Sequence, residues 1–411
     1  MITRTTIDQV YETARVEEVI GDFVVLKKSG SNFKGLSPFS QERTPSFMVS
    51  PVKQIWKDFS SGKGGNVVAF LMEHEHFTYP EAIRFLANKY NIEIEETEQS
   101  HQEKEKANAR ESLYLVNQFA QESFTQDLWE FPEGKAIGLS YFRERGFTDE
   151  IIRLFGLGYA AQQRDRFYKK VTKAGYAENY TLETGLIIKN ERGAVDRFRG
   201  RVIFPIRSMA GRVQGFGGRI LSATLKTAKY INSPESEVYH KSKVLYGMFE
   251  AKKAIAKEDI CYLVEGYTDV IQMFQLGIEN IVSSSGTALT PEQIRLVRRL
   301  TPNIVVLFDG DSAGLRATIR GIDLILEQGM NVRVCSFPEG EDPDSFAKSH
   351  TKEEIIKYLK ESSKDFIQFK TDLLLQESGN DPVKKANTVR DIVKSISKIP
   401  DAIQQEIYLK Q

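Results

Sequence analysis

The sequence predicts a multidomain protein with α+β and α/β parts. At roughly 100–200 residues per domain, a chain of 411 residues forms about two to four domains. Residues 1–95 combine helical spacing with short alternating apolar segments, which is typical of a small α+β unit. Residues 259–340 alternate β-branched runs with amphipathic helices, and this rhythm predicts a mostly parallel sheet with helices on both faces.

Composition narrows the class of protein. Apolar residues make up 41% of the chain and charged residues 27%, with 56 basic against 56 acidic side chains, which describes a soluble globular protein and excludes a histone-like binder. The two cysteines, Cys261 and Cys335, are too few for a disulfide scaffold or a site of three or four thiolates. Because there is no signal-peptide pattern and no membrane-length apolar run, we expect a cytoplasmic protein without a membrane partner.

Changes in composition along the chain predict five segments. Residues 1–95 form the small α+β unit, and residues 96–112, which have many polar and charged side chains but no apolar face, form a charged linker. Residues 113–257 begin with a helical stretch and continue into a region rich in glycine and arginine. Residues 258–342 contain the parallel sheet, and residues 343–411 are helical. The candidate strands of the sheet are Ile260–Val264, Ile281–Val282, Ile304–Phe308 and Val332–Phe337.

Acidic residues follow three of these four strands. Ligands of open parallel sheets bind beyond the carboxyl ends of the strands, where these residues lie. Asp309 and Asp311 are two apart in extended backbone and therefore project from the same face. The acidic residues concerned are Glu265, Asp269, Asp309, Asp311, Asp342 and Asp344.

Carboxylates that converge on one point repel each other unless cations lie between them. Their oxygens are the hard ligands that Mg²⁺ prefers, so the pattern predicts metal-assisted phosphoryl chemistry. The alternative is that Asp309, Asp311 and Asp342 are only turn residues or helix N-caps. Three acidic turns after three strands of one sheet favour the metal site.

A basic, glycine-rich stretch precedes the parallel sheet. Between Lys189 and Lys229 there are ten Lys or Arg side chains and only two acidic ones. Such a patch attracts the phosphates of a nucleic-acid strand or of a nucleotide, with little preference for sequence. The alternative is a solvated basic surface. Aromatic residues that stack on bases in this interpretation are Phe198, Phe216 and Tyr230.

These motifs resemble those of the bacterial DnaG-type DNA primases over essentially the whole chain. Glutamate followed by Asp-x-Asp is the broader Toprim signature, which topoisomerases and some nucleases share, and the strings upstream of it are more specific. The matching strings are Arg197–Val202 (RFRGRV), Gly215–Arg219 (GFGGR), Lys229–Pro234 (KYINSP), His240–Lys241 (HK), Leu245–Gly247 (LYG), Glu265–Asp269 (EGYTD), Asp309–Asp311 (DGD) and Glu341–Asp344 (EDPD).

The resemblance implies an RNA polymerase core with a Toprim subdomain, making short RNA primers from ribonucleoside triphosphates on single-stranded DNA during replication. Carried over to this sequence, Glu265, Asp309 and Asp311 would hold the catalytic Mg²⁺ (or Mn²⁺) ions. Supporting acidic residues would be Asp269, Asp342 and Asp344. Residues that would contact the template or the incoming nucleotide are Arg145, Arg199, Arg201, Lys229, Asn232 and Lys241.

The N-terminal unit is similar to the zinc-binding template module of these primases, with one departure. Where the family usually has Cys-Pro-Phe-His and a second cysteine pair, this chain has Ser37-Pro38-Phe39-Ser40 and Asp58-Phe59-Ser60-Ser61. Neutral serine hydroxyls are poor zinc ligands compared with thiolate or imidazole. We therefore expect zinc to be absent and packing to hold the fold. The residues at the family's ligand positions are Ser37, Ser40, Asp58 and Ser61.

A second departure concerns the end of the chain at Gln411, within an amphipathic helical pattern. The family continues into a domain that binds the replicative helicase, so we expect helicase binding only through a domain absent here, and a monomeric protein. Two alternatives to the primase remain at this stage. One is another Toprim enzyme, a nuclease or topoisomerase-like protein, and the other is a non-catalytic DNA-binding module.

Overall fold

The computed structural model describes most of the chain. Positions outside the described part are 1, 41, 43, 76, 96–100, 192, 222–227, 287, 309–311, 339, 379–381 and 411. Helical or strand residues whose side chains are also outside it are 101–104, 308, 312–318, 373–378, 382, 384, 385 and 388. The chain divides into two compact units, Met1–Ala107 and Asn108–Gln411, and the border falls within one long helix.

The first unit consists of an antiparallel sheet and helices. Its five strands pair in chain order, which is the topology of a meander. The core is aromatic, with the ring of Trp56 stacked on Phe47 at 5.5 Å and meeting Phe70 edge-on at 5.8 Å. The strands and helices are α1 (Arg4–Thr13), α2 (Val16–Gly21), β1 (Lys27–Ser29), β2 (Asn32–Gly35), β3 (Phe47–Ser50), β4 (Ile55–Asp58), β5 (Gly64–Gly65), α3 (Val67–His74) and α4 (Tyr79–Lys89).

The second unit contains most of the long helix (His101–Trp129) and an antiparallel sheet whose order is β11 (Tyr230–Asn232), β10 (Val213–Ile220), β9 (Arg201–Arg207) and β6 (Gly158–Ala160). Strand β9 is buried over nearly its whole length because it is paired on both sides. A separate two-stranded hairpin, formed by β7 and β8, lies between β6 and β9 in the sequence. The elements are α5 (His101–Trp129), a π-helix (Gly134–Leu139), α6 (Ser140–Glu144), α7 (Asp149–Leu154), β6 (Gly158–Ala160), α8 (Arg166–Lys173), α9 (Glu178–Glu183), β7 (Ile187–Asn190), β8 (Gly193–Asp196), β9 (Arg201–Arg207), β10 (Val213–Ile220), β11 (Tyr230–Asn232) and a 3₁₀ turn (Lys241–Lys243).

The rest of the unit contains a five-stranded sheet of order β13-β12-β14-β15-β16, together with the helices between and after its strands. Its first four strands are parallel, which confirms the prediction of a parallel sheet. The elements are α10 (Met248–Glu258), β12 (Cys261–Val264), α11 (Tyr267–Gln275), β13 (Ile281–Ser283), α12 (Pro291–Arg298), β14 (Asn303–Phe308), α13 (Ser312–Glu327), β15 (Asn331–Ser336), α14 (Pro343–Ser349), α15 (Lys352–Ser362), β16 (Lys364–Asp365), α16 (Phe366–Ser378), α17 (Pro382–Ile396) and α18 (Ala402–Lys410).

Two details differ from, or add to, the predicted segments. The short antiparallel strand β16 lies in a region predicted to be helical. The sequence does not predict this strand because two residues are too few to give a periodic signal. Residues 101–112 of the predicted linker form the start of α5. No helix among the described residues is long and apolar enough to cross a membrane.

Candidate active site at the carboxyl edge of the parallel sheet

The sheet topology places the carboxyl ends of three strands that precede acidic residues at one edge. Strands β12, β14 and β15 are adjacent and parallel, so the loops that follow them leave the sheet on the same side. Glu265 follows β12 and is exposed, and Glu341–Asp344 follow β15. Asp309 and Asp311 follow β14 in the sequence but lie outside the described residues.

The first acidic loop passes directly into a helix. The backbone N–H of Gly266 donates to Oδ2 of Asp269 at 2.9 Å, so the carboxylate caps the N-terminus of α11. Gly266 leaves room for this contact, since a Cβ there would lie 2.7 Å from the same oxygen. Asp269 is therefore engaged locally, and Glu265 is the exposed acid of this loop.

The third acidic loop holds its two aspartates differently. Asp342 is the N-cap of α14, where its Oδ1 accepts from the Ser345 N–H at 2.7 Å, as the turn interpretation of the sequence expected for this residue. Asp344 is 6% exposed, and its Oδ2 accepts from Arg145 at 2.6 Å and from Lys348 at 2.8 Å. The attraction of the two cations offsets part of the free-energy cost of burying this carboxylate.

Two buried carboxylate oxygens in this loop have no hydrogen-bond partner among the described residues. They are Oδ1 of Asp344 and Oε2 of Glu341. Such oxygens are costly to bury alone and are suitable ligands for a hard cation. Within the described residues, no three acidic, histidine or cysteine side chains form a group that could hold a metal. The described residues do not include the Asp309–Asp311 loop.

Arg145 joins this acidic edge to an aromatic and basic cluster. Its guanidinium lies 5.6 Å from the ring centre of Tyr141, and Arg219 lies 5.1 Å from the same ring. Burial raises the pKa of Tyr141 to about 12. Burial alone would lower the pKa of Arg145, but Tyr141 and Asp344 outweigh it and raise the pKa. Arg219 also donates to the hydroxyl of Tyr230 at 3.2 Å.

Sequence reasoning missed Tyr141 as a member of this cluster. The available signal was its spacing, because Tyr141 and Arg145 are four residues apart on and just after α6. A Cys- or His-centred search does not find such a pair.

The predicted template residues divide into exposed and buried members. Arg199 and Lys229 are exposed. Arg201 is 6% exposed, and its Nη1 lies 3.2 Å from the carbonyl of Ala228 and 3.4 Å from that of Gly218. Burial, together with Arg197, lowers the pKa of Arg201. The guanidinium of Arg201 therefore links these main-chain carbonyls by hydrogen bonds.

The remaining predicted contacts are partly buried. Asn232 accepts a hydrogen bond from the Tyr267 hydroxyl at 2.7 Å. The main-chain N–H of Lys241 donates to Glu235 at 3.0 Å. The interpretation of Phe198 and Phe216 as stacking platforms is wrong, because both rings are buried in the core, where they meet each other edge-on at 6.2 Å. Tyr230 is half-buried.

In the first unit, the four positions singled out by sequence lie close together around one carboxylate. Asp58 is buried, and its Oδ2 accepts from Ser37 at 2.8 Å and from Ser61. Ser60 donates to Asp58 at 2.9 Å and lies 2.6 Å from the hydroxyl of Ser40. Burial alone would raise the pKa of Asp58, but the serine hydrogen bonds outweigh it and lower the pKa.

We expect Asp58→Ala to destabilise the first unit by about 2 kcal/mol, because the buried donors around the carboxylate lose their acceptor. Hydrogen exchange of peptides from β3 and β4 in the whole chain measures this loss. The control is Asp22→Ala, which removes an exposed ion pair with Lys89 and is expected to cost less than about 1 kcal/mol. Equal protection in both variants would contradict the prediction.

Comparison with known proteins gives three family matches along the chain. Residues 2–102 match the CHC2 zinc finger, residues 124–252 match the N-terminal domain of the DNA primase catalytic core, and residues 262–347 match a Toprim-like domain. The DNA primase of Clostridium acetobutylicum is 36% identical over the whole of this chain and 67% of its own length. The DNA primase of Halalkalibacterium halodurans is 38% identical over the whole chain and 68% of its own length.

Solved structures agree with these matches. The Aquifex aeolicus primase, comprising zinc-binding and RNA polymerase domains, is 32% identical, with a TM-score of 0.64 over 98% of this chain and 95% of that one. A DnaG primase catalytic domain bound to single-stranded DNA is 31% identical, with a TM-score of 0.66 over 74% of this chain and 98% of that one. The fold and its acidic edge therefore define a nucleic-acid polymerase with a Toprim sheet.

The chain belongs to the family of bacterial DnaG-type DNA primases. It is a DNA primase, that is, a DNA-directed RNA polymerase of the nucleotidyltransferase class. These matches favour the primase over the nuclease, topoisomerase-like and non-catalytic alternatives. The chain spans about two thirds of the length of the two relatives.

One expectation is contradicted by the comparisons. We expected a degenerate N-terminal module without zinc, but residues 2–102 match the CHC2 zinc finger, and the Aquifex structure includes a zinc-binding domain. The comparison therefore points to zinc in this module. Among the described residues, the side chains hydrogen-bonded around Asp58 are serine hydroxyls, which are oxygen donors.

Proposed function

We propose that primer synthesis takes place at the carboxyl edge of the parallel sheet. In this proposal Glu265, Asp309 and Asp311 hold Mg²⁺ or Mn²⁺, with support from the other acidic residues of the edge, which are Asp269, Asp342 and Asp344. The observation that carries it is that β12, β14 and β15 are adjacent and parallel, and that each is followed in the sequence by acidic residues. The partnerless buried oxygens of Asp344 and Glu341 support it, because they are acceptors that suit a cation.

When bound, the divalent ions would lower the pKa of the attacking 3′-hydroxyl and neutralise the triphosphate charge as pyrophosphate leaves. The residues of the chain do the positioning. Arg145 orients Asp344 by donating to one of its oxygens. Exposed Glu265 stands at the end of a rigid buried strand, which limits the freedom of its main chain.

The single-stranded DNA template would lie along the exposed basic residues of the preceding sheet. Arg199 and Lys229 are exposed, whereas Arg201 is buried, so the charges of Arg199 and Lys229 face solvent where phosphates can approach. The related catalytic domain bound to single-stranded DNA supports a single-stranded DNA template, without indicating which residues contact it. We propose that Arg201 acts indirectly by supporting the segment that carries Lys229, and that Asn232 and Lys241 contact template or nucleotide. The enzyme would act as a monomer.

The metal assignment is tested by mapping a bound ion on the whole chain. Fe²⁺ in place of Mg²⁺, with ascorbate and peroxide, is expected to cut the backbone near residues 265, 309–311 and 341–344. Excess Mg²⁺ is expected to suppress all three cuts together, because in this proposal the three loops would share one ion site. Cleavage at scattered positions, or cuts that Mg²⁺ does not suppress, would refute the assignment.

For the template, we expect Arg199→Ala to weaken single-stranded DNA binding about three- to tenfold near 0.15 M salt. Losing one phosphate contact should also lower the slope of log K against log salt by about 0.7. Fluorescence anisotropy with a labelled oligonucleotide measures both. Lys257→Ala is the control, since Lys257 is an exposed cation on α10 outside every primase motif. An unchanged salt slope in Arg199→Ala would contradict a phosphate contact.

A further inference from the structure

Tyr267 is buried at the junction between the acidic edge and the antiparallel sheet. It is 3% exposed and is the first residue of α11, two positions after Glu265. Its ring stacks on Phe204 of β9, with centroids 4.9 Å apart and an interplanar angle of 14°. The ring also lies against the main chain of β10, since a Cβ on Gly217 would be 2.5 Å from the Tyr267 hydroxyl and Cζ.

The hydroxyl of Tyr267 has a specific partner beyond this packing. It donates to Oδ1 of Asn232, the last residue of β11, at 2.7 Å. With Oδ1 occupied in this way, the amide of Asn232 takes one orientation, and its Nδ2 points to the carbonyl of Ser285 at 3.4 Å.

Ser285 in turn belongs to the loop after β13, the strand next to β12. Its backbone has a positive φ of 56°, and its hydroxyl lies 2.9 Å from that of Ser283 at the end of β13. The hydrogen bonds of Tyr267, Asn232 and Ser285 thus connect β11 to loops at the carboxyl ends of two parallel strands.

We propose that Tyr267 is a positioning residue that fixes the amide of Asn232 relative to Glu265. The group that contacts the nucleic acid is thereby held in a fixed position relative to the acidic edge. This inference rests on the proposed function, in which Asn232 contacts template or nucleotide. The ring alone would satisfy the packing, and a phenylalanine has the same ring. The hydroxyl is therefore the part of Tyr267 that serves the reaction.

Tyr246 supplies a matched control in the same aromatic cluster. Its ring meets that of Tyr267 edge-on at 4.7 Å, and it is equally buried. Its hydroxyl has no hydrogen-bond partner among the described residues. Tyr246→Phe and Tyr267→Phe therefore remove the same atom from the same cluster, but only the second removes the hydrogen bond to Asn232.

The test measures primer synthesis by the whole chain, with KM for the nucleotides and Kd for the template determined separately. In Tyr267→Phe we expect one of these two constants to rise about tenfold, with kcat within about twofold and the thermal midpoint close to that of the parent. Tyr246→Phe is expected to leave all of them unchanged. Asn232→Ala should raise the same constant, and the double variant with Tyr267→Phe should show no further loss.

Several results would overturn the inference and identify which part fails. If Asn232→Ala is impaired while Tyr267→Phe matches Tyr246→Phe, the proposed function stands and the positioning role of Tyr267 is wrong. If Asn232→Ala has parent-like constants, the proposed contact of Asn232 itself is wrong, and the positioning role fails with it. Losses of Tyr267→Phe and Asn232→Ala that multiply in the double variant would show two independent effects.

Discussion

Glu265→Gln is expected to lower primer synthesis about a thousandfold or more at saturating template and nucleotide. The substitution keeps the shape of the side chain but removes the charge that a divalent cation requires, and one such interaction accounts for about 4 kcal/mol of transition-state stabilisation. The thermal midpoint should hardly change, because Glu265 is exposed at the end of β12. The yield of labelled RNA on single-stranded DNA, titrated with Mg²⁺, measures the loss.

The control for this variant is Glu258→Gln at the other edge of the same sheet. Glu258 ends α10 before β12 begins, and its side chain is exposed beside Lys257. We expect this variant to retain the activity of the parent. Activity of Glu265→Gln above about a tenth of the parent, or a similar loss in Glu258→Gln, would be incompatible with a metal site at the carboxyl edge.

Asp323→Ala is expected to destabilise the second unit by about 3 kcal/mol, the largest stability change that we expect. Asp323 on α13 accepts from Lys370 of α16 at 2.5 Å and from Ser395 of α17 at 2.8 Å. Lys370 is 2% exposed, so loss of Asp323 leaves a buried cation without its counter-ion. Hydrogen exchange of peptides from α16 and from the C-terminal half of α13 measures the change.

Two controls separate the buried charge from a general effect. Asp323→Leu combined with Lys370→Met replaces the pair by apolar groups and should recover most of the lost stability. Asp372→Ala removes an exposed ion pair with Lys364 and should cost less than about 1 kcal/mol. A double variant less stable than Asp323→Ala would contradict the expected origin of the loss.

The same pair predicts a dependence of stability on pH. Burial alone would raise the pKa of Asp323, but Lys370 and Ser395 outweigh it, and the net pKa is lowered. The contribution of this carboxylate to stability is therefore fully present above its unfolded pKa of about 4 and is lost as the pH falls through the lower folded value. Asp323→Ala should have a flatter stability profile than the parent below about pH 4. Parallel profiles would contradict this.

Periodicity and residue order sufficed for the parallel sheet and for its acidic loops. The β-branched runs at residues 259–340 alternate with amphipathic helices, and only a parallel sheet covered on both faces buries such a pattern. The motifs around Arg199, Glu265 and Asp309 are sufficient by themselves to indicate the primase family. The zinc expectation failed because it relied on four ligand positions, whereas the family match covers residues 2–102.

The local sequence determined the strands of the parallel sheet up to β15 and the chemical type of the loops that follow them, because these depend on neighbours a few residues apart. Tertiary structure alone decided which charges are paired or buried. Arg145 meets Asp344 across 199 residues of chain, Arg201 is enclosed by carbonyls while Arg199 faces solvent, and the Tyr267 hydroxyl reaches Asn232. Each of these outcomes depends on strand register and on packing between sheets, which no spacing within a single segment encodes.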